Sequence, residues 1–298
     1  MKRSAFITIG LNPTLQKTLV FPSLVPDRVN RCGEYRLDAA GKGLNTSRVL
    51  SQLGKENAHL THLGGSFRSV FLDLCAKDGL EVAWVENESS IRFCYTLVDK
   101  EKHQVTELVE EGDRVGEGTE ARLLEALDGL LPKMTSLIIG GTKAAGFSDG
   151  FIPEMVNRAK QHGLFVILDI RGPDLINSLP YRPDLIKPNL EEFSATFAEG
   201  EPLDKEKAAS LIREIWERYG CRIVLTRGVH NLWYAEAGDL DEYPVEGVEP
   251  LNTTGSGDAF TAGLAAALGE GVSLPQAIAE GSRCGRLNAL LLKPGTIL

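Results

Sequence analysis

Cysteine is scarce and poorly placed for chemistry. The 298-residue chain has five: Cys32, Cys75, Cys94, Cys221 and Cys284. They are scattered, odd in number and never form a Cys-x-x-Cys pair, which argues against a disulfide framework or a zinc site. A reducing, cytoplasmic setting is expected. No apolar run approaches the ~20 residues of a membrane-spanning helix. The apolar stretch Ser4 to Leu11 behind Lys2-Arg3 is too short for a signal peptide and runs straight into Asn12-Pro13, so a first β-strand is expected there. Positive charge is in deficit: 32 Lys and Arg against 41 Asp and Glu give a net charge of −9. That excludes a general nucleic-acid binder. Repeats and low-complexity segments are absent. So are two familiar phosphate fingerprints. A dinucleotide motif needs Gly where Phe260 stands, and neither Gly41-Lys42-Gly43 nor Gly54-Lys55-Glu56 carries the Ser or Thr of a Walker A loop. His59 and His62, three apart in a predicted strand, face opposite sides and do not share a metal.

What is present centres on Leu251-Asn252-Thr253-Thr254-Gly255-Ser256-Gly257-Asp258-Ala259-Phe260, followed by an Ala- and Leu-rich helix. A Gly-rich turn here delivers the chain into a helix N-terminus, with unpaired N–H groups and a partial positive charge. Two glycines around one small residue let that backbone curl about an anion. Asp258 would repel such an anion unless it takes a proton from a hydroxyl attacking phosphorus. Otherwise it is a favourable first-turn residue. A second Gly-rich turn, Ala39 to Asn45, leads into a helix over Thr46 to Leu53. Gly41 and Gly43 there allow close backbone approach to a ligand, and Lys42 and Asn45 suit a sugar hydroxyl or a phosphate.

Short strands are expected at Leu19 to Phe21 and Arg31 to Leu37, and a hairpin at Ile91 to Val98 and His103 to Val109. Together they make a half-exposed antiparallel sheet. From Glu120 onward strands alternate with helices, which implies a parallel sheet covered on both faces. Gly140-Gly141, Asp169 to Gly172, Lys187 to Asn189 and Thr226 to Gly228 each follow a strand and should gather at one sheet edge, the usual ligand crevice. Asn189 and Glu192 either share a hydrated Mg²⁺ or form a helix capping box. Arg92 is either an edge charge or a ligand contact.

Ala40-Gly41-Lys42-Gly43-Leu44-Asn45, Lys187-Pro188-Asn189-Leu190-Glu191-Glu192 and Asn252 to Phe260, in this order and at these separations, resemble the ribokinase-like (PfkB) family of sugar kinases. The likeness spans nearly the whole chain and is nearest to 1-phosphofructokinase and tagatose-6-phosphate kinase. It implies one α/β domain over 1–298, a ribokinase-like three-layer sandwich. A small β-sheet lid would come from about 16–38 and 91–110. It implies ATP and Mg²⁺ and a sugar-phosphate acceptor. Apart from the resemblance, the open edge of an exposed β-lid offers a place for a homodimer to form. By the resemblance Asp258 is the catalytic base, and Gly255, Ser256 and Gly257 form the anion hole. Lys187, Asn189, Glu192, Thr226 and Gly228 face ATP and Mg²⁺, and Asn288 lies by the adenine. Asn12, Gln16, Gly41 and Asn45 belong to the acceptor side, where Arg31, Lys42 and Arg92 hold the acceptor's phosphate. Departures gather on that side: Gln16 stands where the family carries Asp, Ala40 replaces Gly, and Gly141 to Gly146 is altered. An uncharged sugar, a nucleoside or a cyclitol is therefore the alternative acceptor. A non-catalytic sugar-phosphate sensor is the alternative of another class.

Overall fold

Ala5–Gly10 (β1) is buried at all six positions. Successive side chains alternate faces, so a strand covered on both sides needs that apolar density. Phe6 packs in one cluster with Ile138, Ile167 and Ala262. Ile7 and Ile9 pack in another with Leu137, Ile139 and Phe151. This computed structural model describes residues 5–298; Lys2 and Arg3 lie outside them.

After β1 come β2 (Thr14–Phe21), β3 (Glu34–Ala40), α1 (Lys42–Gln52), β4 (Glu56–Gly64), α2 (Arg68–Lys77), β5 (Val82–Asn87), β6 (Arg92–Asp99), β7 (Gln104–Val109) and α3 (Thr119–Leu130). The alternating half follows: β8 (Ser136–Gly140), α4 (Phe151–Gln161), β9 (Phe165–Asp169), α5 (Gly172–Ser178), β10 (Leu185–Ile186), α6 (Leu190–Phe197), α7 (Lys205–Tyr219) and β11 (Arg222–Arg227). The chain closes with β12 (His230–Ala235), β13 (Leu240–Tyr243), α8 (Ser256–Gly269) and α9 (Leu274–Ala289).

Nine strands form one sheet in the order β13-β12-β11-β10-β9-β8-β1-β4-β5. From β11 to β5 every pairing is parallel. Residues of α1, α8 and α9 cover one face, and residues of α3 to α7 cover the other. This is the expected three-layer α/β sandwich. β12 and β13 pair antiparallel at the far edge. They were not expected, because Asn231, Glu236, Asp241 and Glu242 break up the apolar signal. Nor was α9 expected as a helix, although Ser273 and Gln276 form a capping box at its start, a pattern visible in sequence.

Four strands form a second sheet in the order β3-β2-β6-β7. It is mixed and not purely antiparallel, since β2 and β6 run parallel. Its strands begin at Thr14 and Glu34, not at Leu19 and Arg31. The residues from Pro22 to Gly33 form a loop in which Asp27 takes φ 58°. Arg31 therefore stands in an exposed loop.

Strand order reverses about β1, which has β4 on one side and β8 on the other. At such a switch point the crevice beyond the strand ends is open to a ligand. α1 is pressed onto β1 there. A Cβ on Gly43 would sit 2.3 Å from the Ile9 carbonyl oxygen. The close approach this glycine permits is thus to the neighbouring strand and not, as expected, to a ligand. Gly43→Ala should push α1 off β1 and lower stability by about 1–3 kcal/mol, the usual cost of overpacking. A urea midpoint equal to the parent's would refute that contact.

Candidate active site

α8 starts at a left-handed Gly255, with φ 84°. A side chain there would also run into the chain, since a Cβ would lie 2.3 Å from the Gly295 nitrogen. The loop before it is held from behind by two fully buried amides. Asn252 accepts from the Thr254 nitrogen at 3.0 Å and donates to the Leu292 carbonyl at 3.0 Å. Asn288 donates to the Thr254 carbonyl at 3.1 Å and accepts from the Thr296 nitrogen at 3.2 Å. Asn288, expected beside an adenine, is 0% exposed, and both functions of its amide are used internally, where they support the loop. Gly257 is the opposite case. A Cβ added there meets nothing within 4 Å, so the first turn of α8 faces open space. Gly255, Gly257 and Asp258 of that turn line the crevice, and their backbone N–H groups have no partner among the described residues, as at a helix N-terminus that receives an anion; the Ser256 N–H is taken by the Thr253 carbonyl at 3.1 Å.

Asp258 is buried beside this opening. Asn45 of α1 donates to its Oδ2 at 2.8 Å. Asn45 is oriented in turn by Arg48, whose Nη1 donates to Asn45 Oδ1 and to the Pro294 carbonyl, each at 3.1 Å. Arg48 is 1% exposed and its Nε donates to Asp78 at 2.8 Å. A line of positioning bonds thus runs Asp78, Arg48, Asn45, Asp258. Burial pushes the Asp258 carboxyl up to about 7 and the charge of Asp169 adds to the rise, while Lys42, Lys187 and the Asn45 bond oppose it.

Asp169, at the end of β9, was not singled out from sequence, yet it sits at the centre of the charges. It pairs with Lys187 at 3.1 Å and Lys42 at 3.5 Å, and accepts from Thr261 at 2.9 Å. Burial alone would raise its pKa, but the two ammonium groups and Thr261 hold it below the usual carboxylate value. Lys42 also lies 3.2 Å from Glu192. Asp169 foremost, with Glu192 adding, keeps Lys42 protonated well above its ordinary range despite burial. No spacing rule could have found this cluster, because α1, β9 and the segment after β10 are far apart in sequence. The signal available was only that each lies just beyond a strand.

Asn189 and Glu192 form the capping box of α6. Glu192 N donates to Asn189 Oδ1 at 2.7 Å and Asn189 N to Glu192 Oε2 at 3.0 Å. Both residues also line the crevice. Among the described residues no group of three or more His, Cys, Asp or Glu could hold a metal directly. Hard oxygens from Glu192 and Asn189 at the crevice nonetheless suit a hydrated Mg²⁺, which needs only one or two carboxylates when substrate phosphates and waters complete its shell.

Three connected spaces make up the crevice. The first, about 210 Å³, lies over the ends of β1, β8 and β9 and is lined by Asn12, Gly41, Lys42, Arg92 and Arg171 among others. The central one, about 580 Å³, holds Gln16, Asn45, Lys187, Gly255, Gly257 and Asp258. The third, about 400 Å³, is an apolar groove past Asn189, Thr226, Gly228, Ser256 and Phe260. Gly228, at φ 61°, also turns β11 into β12. Asp169, Lys42 and Arg92 border both of the first two spaces. The second sheet lies over the centre: Gln16 Nε2 donates to Thr96 Oγ1 at 2.8 Å, and Glu107 accepts from Thr254 Oγ1 at 2.7 Å. Nearly all the expected residues are therefore brought together; Asn288 and Arg31 are the exceptions, Arg31 lining none of the three spaces.

The model of the pfkB family carbohydrate kinases matches residues 12–297. The chain belongs to that family. This carbohydrate kinase is also similar in fold to several solved structures. Escherichia coli phosphofructokinase-2, in complex with fructose-6-phosphate, shares 22% identity at a TM-score of 0.85, over 97% of this chain and 94% of that one. A possible 1-phosphofructokinase from Thermotoga maritima shares 20% at 0.88, over 97% and 93%. Ribokinase from Thermotoga maritima shares 19% at 0.76, over 99% and 96%. Among the described residues of the kinase no helix is long and apolar enough to cross a membrane, and all five cysteines are free thiols.

Proposed function

We propose that this kinase transfers the terminal phosphoryl group of ATP to a free hydroxyl of a phosphorylated ketose, of the fructose 1-phosphate or tagatose 6-phosphate type. One observation carries the reading. A buried carboxylate with a pKa of about 7 stands beside an open helix N-terminus, at the junction of an acceptor-sized cavity and an apolar groove. The acceptor lies over β1, β8 and β9 with its reacting hydroxyl at Asp258. The nucleotide lies along Asn189, Thr226 and Gly228, with its phosphates between. Asp258 takes the hydroxyl proton as the oxygen bonds to phosphorus and the bond from phosphorus to ADP breaks. The backbone N–H groups of Gly255 and Gly257 stabilise the charge on the group in flight; the Ser256 N–H, expected to join them, instead donates to the Thr253 carbonyl at 3.1 Å. Mg²⁺, held through water by Glu192 and Asn189, would neutralise the donor phosphates. Lys187 and Lys42 keep Asp169 ionised. The second sheet acts as the lid of this one domain, excluding water.

One observation favours an uncharged acceptor instead. Of the three basic residues expected to hold its phosphate, Arg31 is elsewhere and Lys42 is already paired with two carboxylates. A panel of phosphorylated ketoses, free ketoses, a nucleoside and inositol, with Mg-ATP, separates the two readings. Turnover confined to an uncharged member would overturn the first.

The Asp258 environment also fixes a pH dependence. A base raised to about 7 is ionised only above that value, so kcat should rise with pH to a plateau, with an apparent pKa near 7. Lys42 opposes the rise, so Lys42→Met should move the rising limb to higher pH. A profile flat from pH 5.5 to 8.5 would remove Asp258 as the titrating base.

A further inference from the structure

We infer that Arg171, with Arg92, forms the site for the acceptor's phosphate, and that Arg171 sets the preference for phosphorylated over free acceptors. This deepens the function proposed above and rests on it. Several of the charges facing the first cavity are already compensated. Lys42 is paired with Asp169 and Glu192, and Asp169 also with Lys187. The remaining charged lining residues are Arg92 and Arg171, and neither has a carboxylate partner among the described residues.

Arg92 donates from Nη1 to the Glu110 carbonyl at 2.9 Å, which fixes its position without neutralising it. Its Nε is buried and unpartnered, an arrangement that costs free energy unless an acceptor arrives. Arg171 follows β9 immediately after Asp169 and Ile170. Its extended backbone leads into α5, and its side chain makes no capping bond there. No hydrogen bond or ion pair holds its guanidinium among the described residues. Two unneutralised guanidiniums on one cavity, in a chain of net charge −9, are matched to a phosphate dianion. Guanidinium presents paired N–H groups to two phosphate oxygens, and such bonds are about twice as strong as neutral ones.

The place fits as well as the charge. The first cavity opens into the central one across Lys42, Asp169 and Arg92. Asp258 lines only the central one. A phosphate at Arg92 and Arg171 therefore leaves the far end of a short sugar chain directed at Asp258. Thr142, on the loop after β8, adds a hydroxyl to the same cavity. That loop is tied to the end of β9 by the Gly141 nitrogen, which donates to the Asp169 carbonyl at 3.0 Å. Arg171 thus replaces Arg31, and the paired Lys42, in the set expected from the sequence.

The test is steady-state kinetics of wild type, Arg171→Ala and Arg171→Lys, at saturating Mg-ATP. The acceptors are fructose 1-phosphate, fructose 6-phosphate, tagatose 6-phosphate, fructose and tagatose. Arg171→Ala should raise KM for the phosphorylated acceptor on the order of 10- to 100-fold, the weight of a lost charge-assisted contact. Its kcat should stay within about twofold and KM for ATP unchanged, because a contact made equally in ground and transition states alters KM alone. KM for a free ketose should not move, and Arg171→Lys should recover part of the loss. Arg171 is exposed and makes no internal bond, so the variant keeps its fold; an unaltered urea midpoint checks this. An unchanged KM in Arg171→Ala, with wild-type turnover of a phosphorylated ketose, overturns the inference and leaves the proposed function standing. Wild-type turnover of free ketoses alone overturns both.

Discussion

Replacing Asp258 with Asn lowers kcat by a factor of about 10² to 10⁴, the usual weight of a general base, while leaving the fold intact. The substitution keeps the shape of the side chain, and Asn45 can still donate to an amide oxygen where it now donates to Oδ2. What is lost is basicity. KM for ATP should change little, since Asp258 borders the central space and not the apolar groove proposed for the nucleotide. The same change also tests a cost. The carboxyl is 6% exposed and its pKa is raised to about 7 from an ordinary 3.8. Between those values the unfolded chain gives up its proton while the folded chain keeps it. Rising pH therefore destabilises the fold across this window, and above about 7 the penalty is constant. Asn carries no charge to bury, so the Asp258→Asn enzyme should be inactive yet at least as stable as wild type at pH 8. A variant with near-normal kcat would remove Asp258 from the role of base.

Replacing Arg48 with Met destabilises the protein by about 3–5 kcal/mol, the cost of breaking a buried ion pair from one side. The guanidinium serves Asp78, Asn45 and the Pro294 carbonyl at once. It also donates to the Ala39 carbonyl. Methionine fills much of the volume but leaves those acceptors without a donor. Asp78 keeps Lys293 as its second partner, which limits the loss to one side of the pair. The effect should reach the chemistry, because Arg48 orients Asn45 and Asn45 orients Asp258. At a temperature where the variant is fully folded, kcat should fall more than acceptor KM rises. A urea midpoint and kcat both close to wild type would show that Arg48 only fills space.

These two residues differ in how readable they were. Asp258 stands in a local pattern, a Gly-rich turn entering a helix, and its place follows from backbone geometry that neighbouring residues dictate. Arg48 lies in an ordinary helical stretch; apart from Asn45 its partners come from residues 39, 78 and 294, so little nearby says that it is buried. The layered fold was legible for a similar reason. Apolar strands alternating with helices dictate a covered parallel sheet wherever the chain repeats them, as from β8 to β11. β12 and β13 were missed because a sheet's far edge is half solvated and its strands carry charge. The acceptor side was least legible. Arg31, expected as a ligand contact through the family resemblance, falls in a loop whose start and end depend on the pairing of β2 with β3. Arg171 drew no attention because its role depends on which other cations are already neutralised, and only the folded charge cluster decides that. Asn288 lies between residues that line the third space but faces inward, where the loop's own backbone uses it.

The most direct test of the account is product analysis by phosphorus NMR. Wild-type and Asp258→Asn enzymes would be incubated with Mg-ATP and each phosphorylated ketose in turn. The wild type should give ADP and a ketose bisphosphate in equal amounts, and the variant far less bisphosphate. Bisphosphate formed equally by both enzymes would contradict Asp258 as the base. Wild-type transfer only to an uncharged sugar, nucleoside or cyclitol would contradict the acceptor assigned to this site.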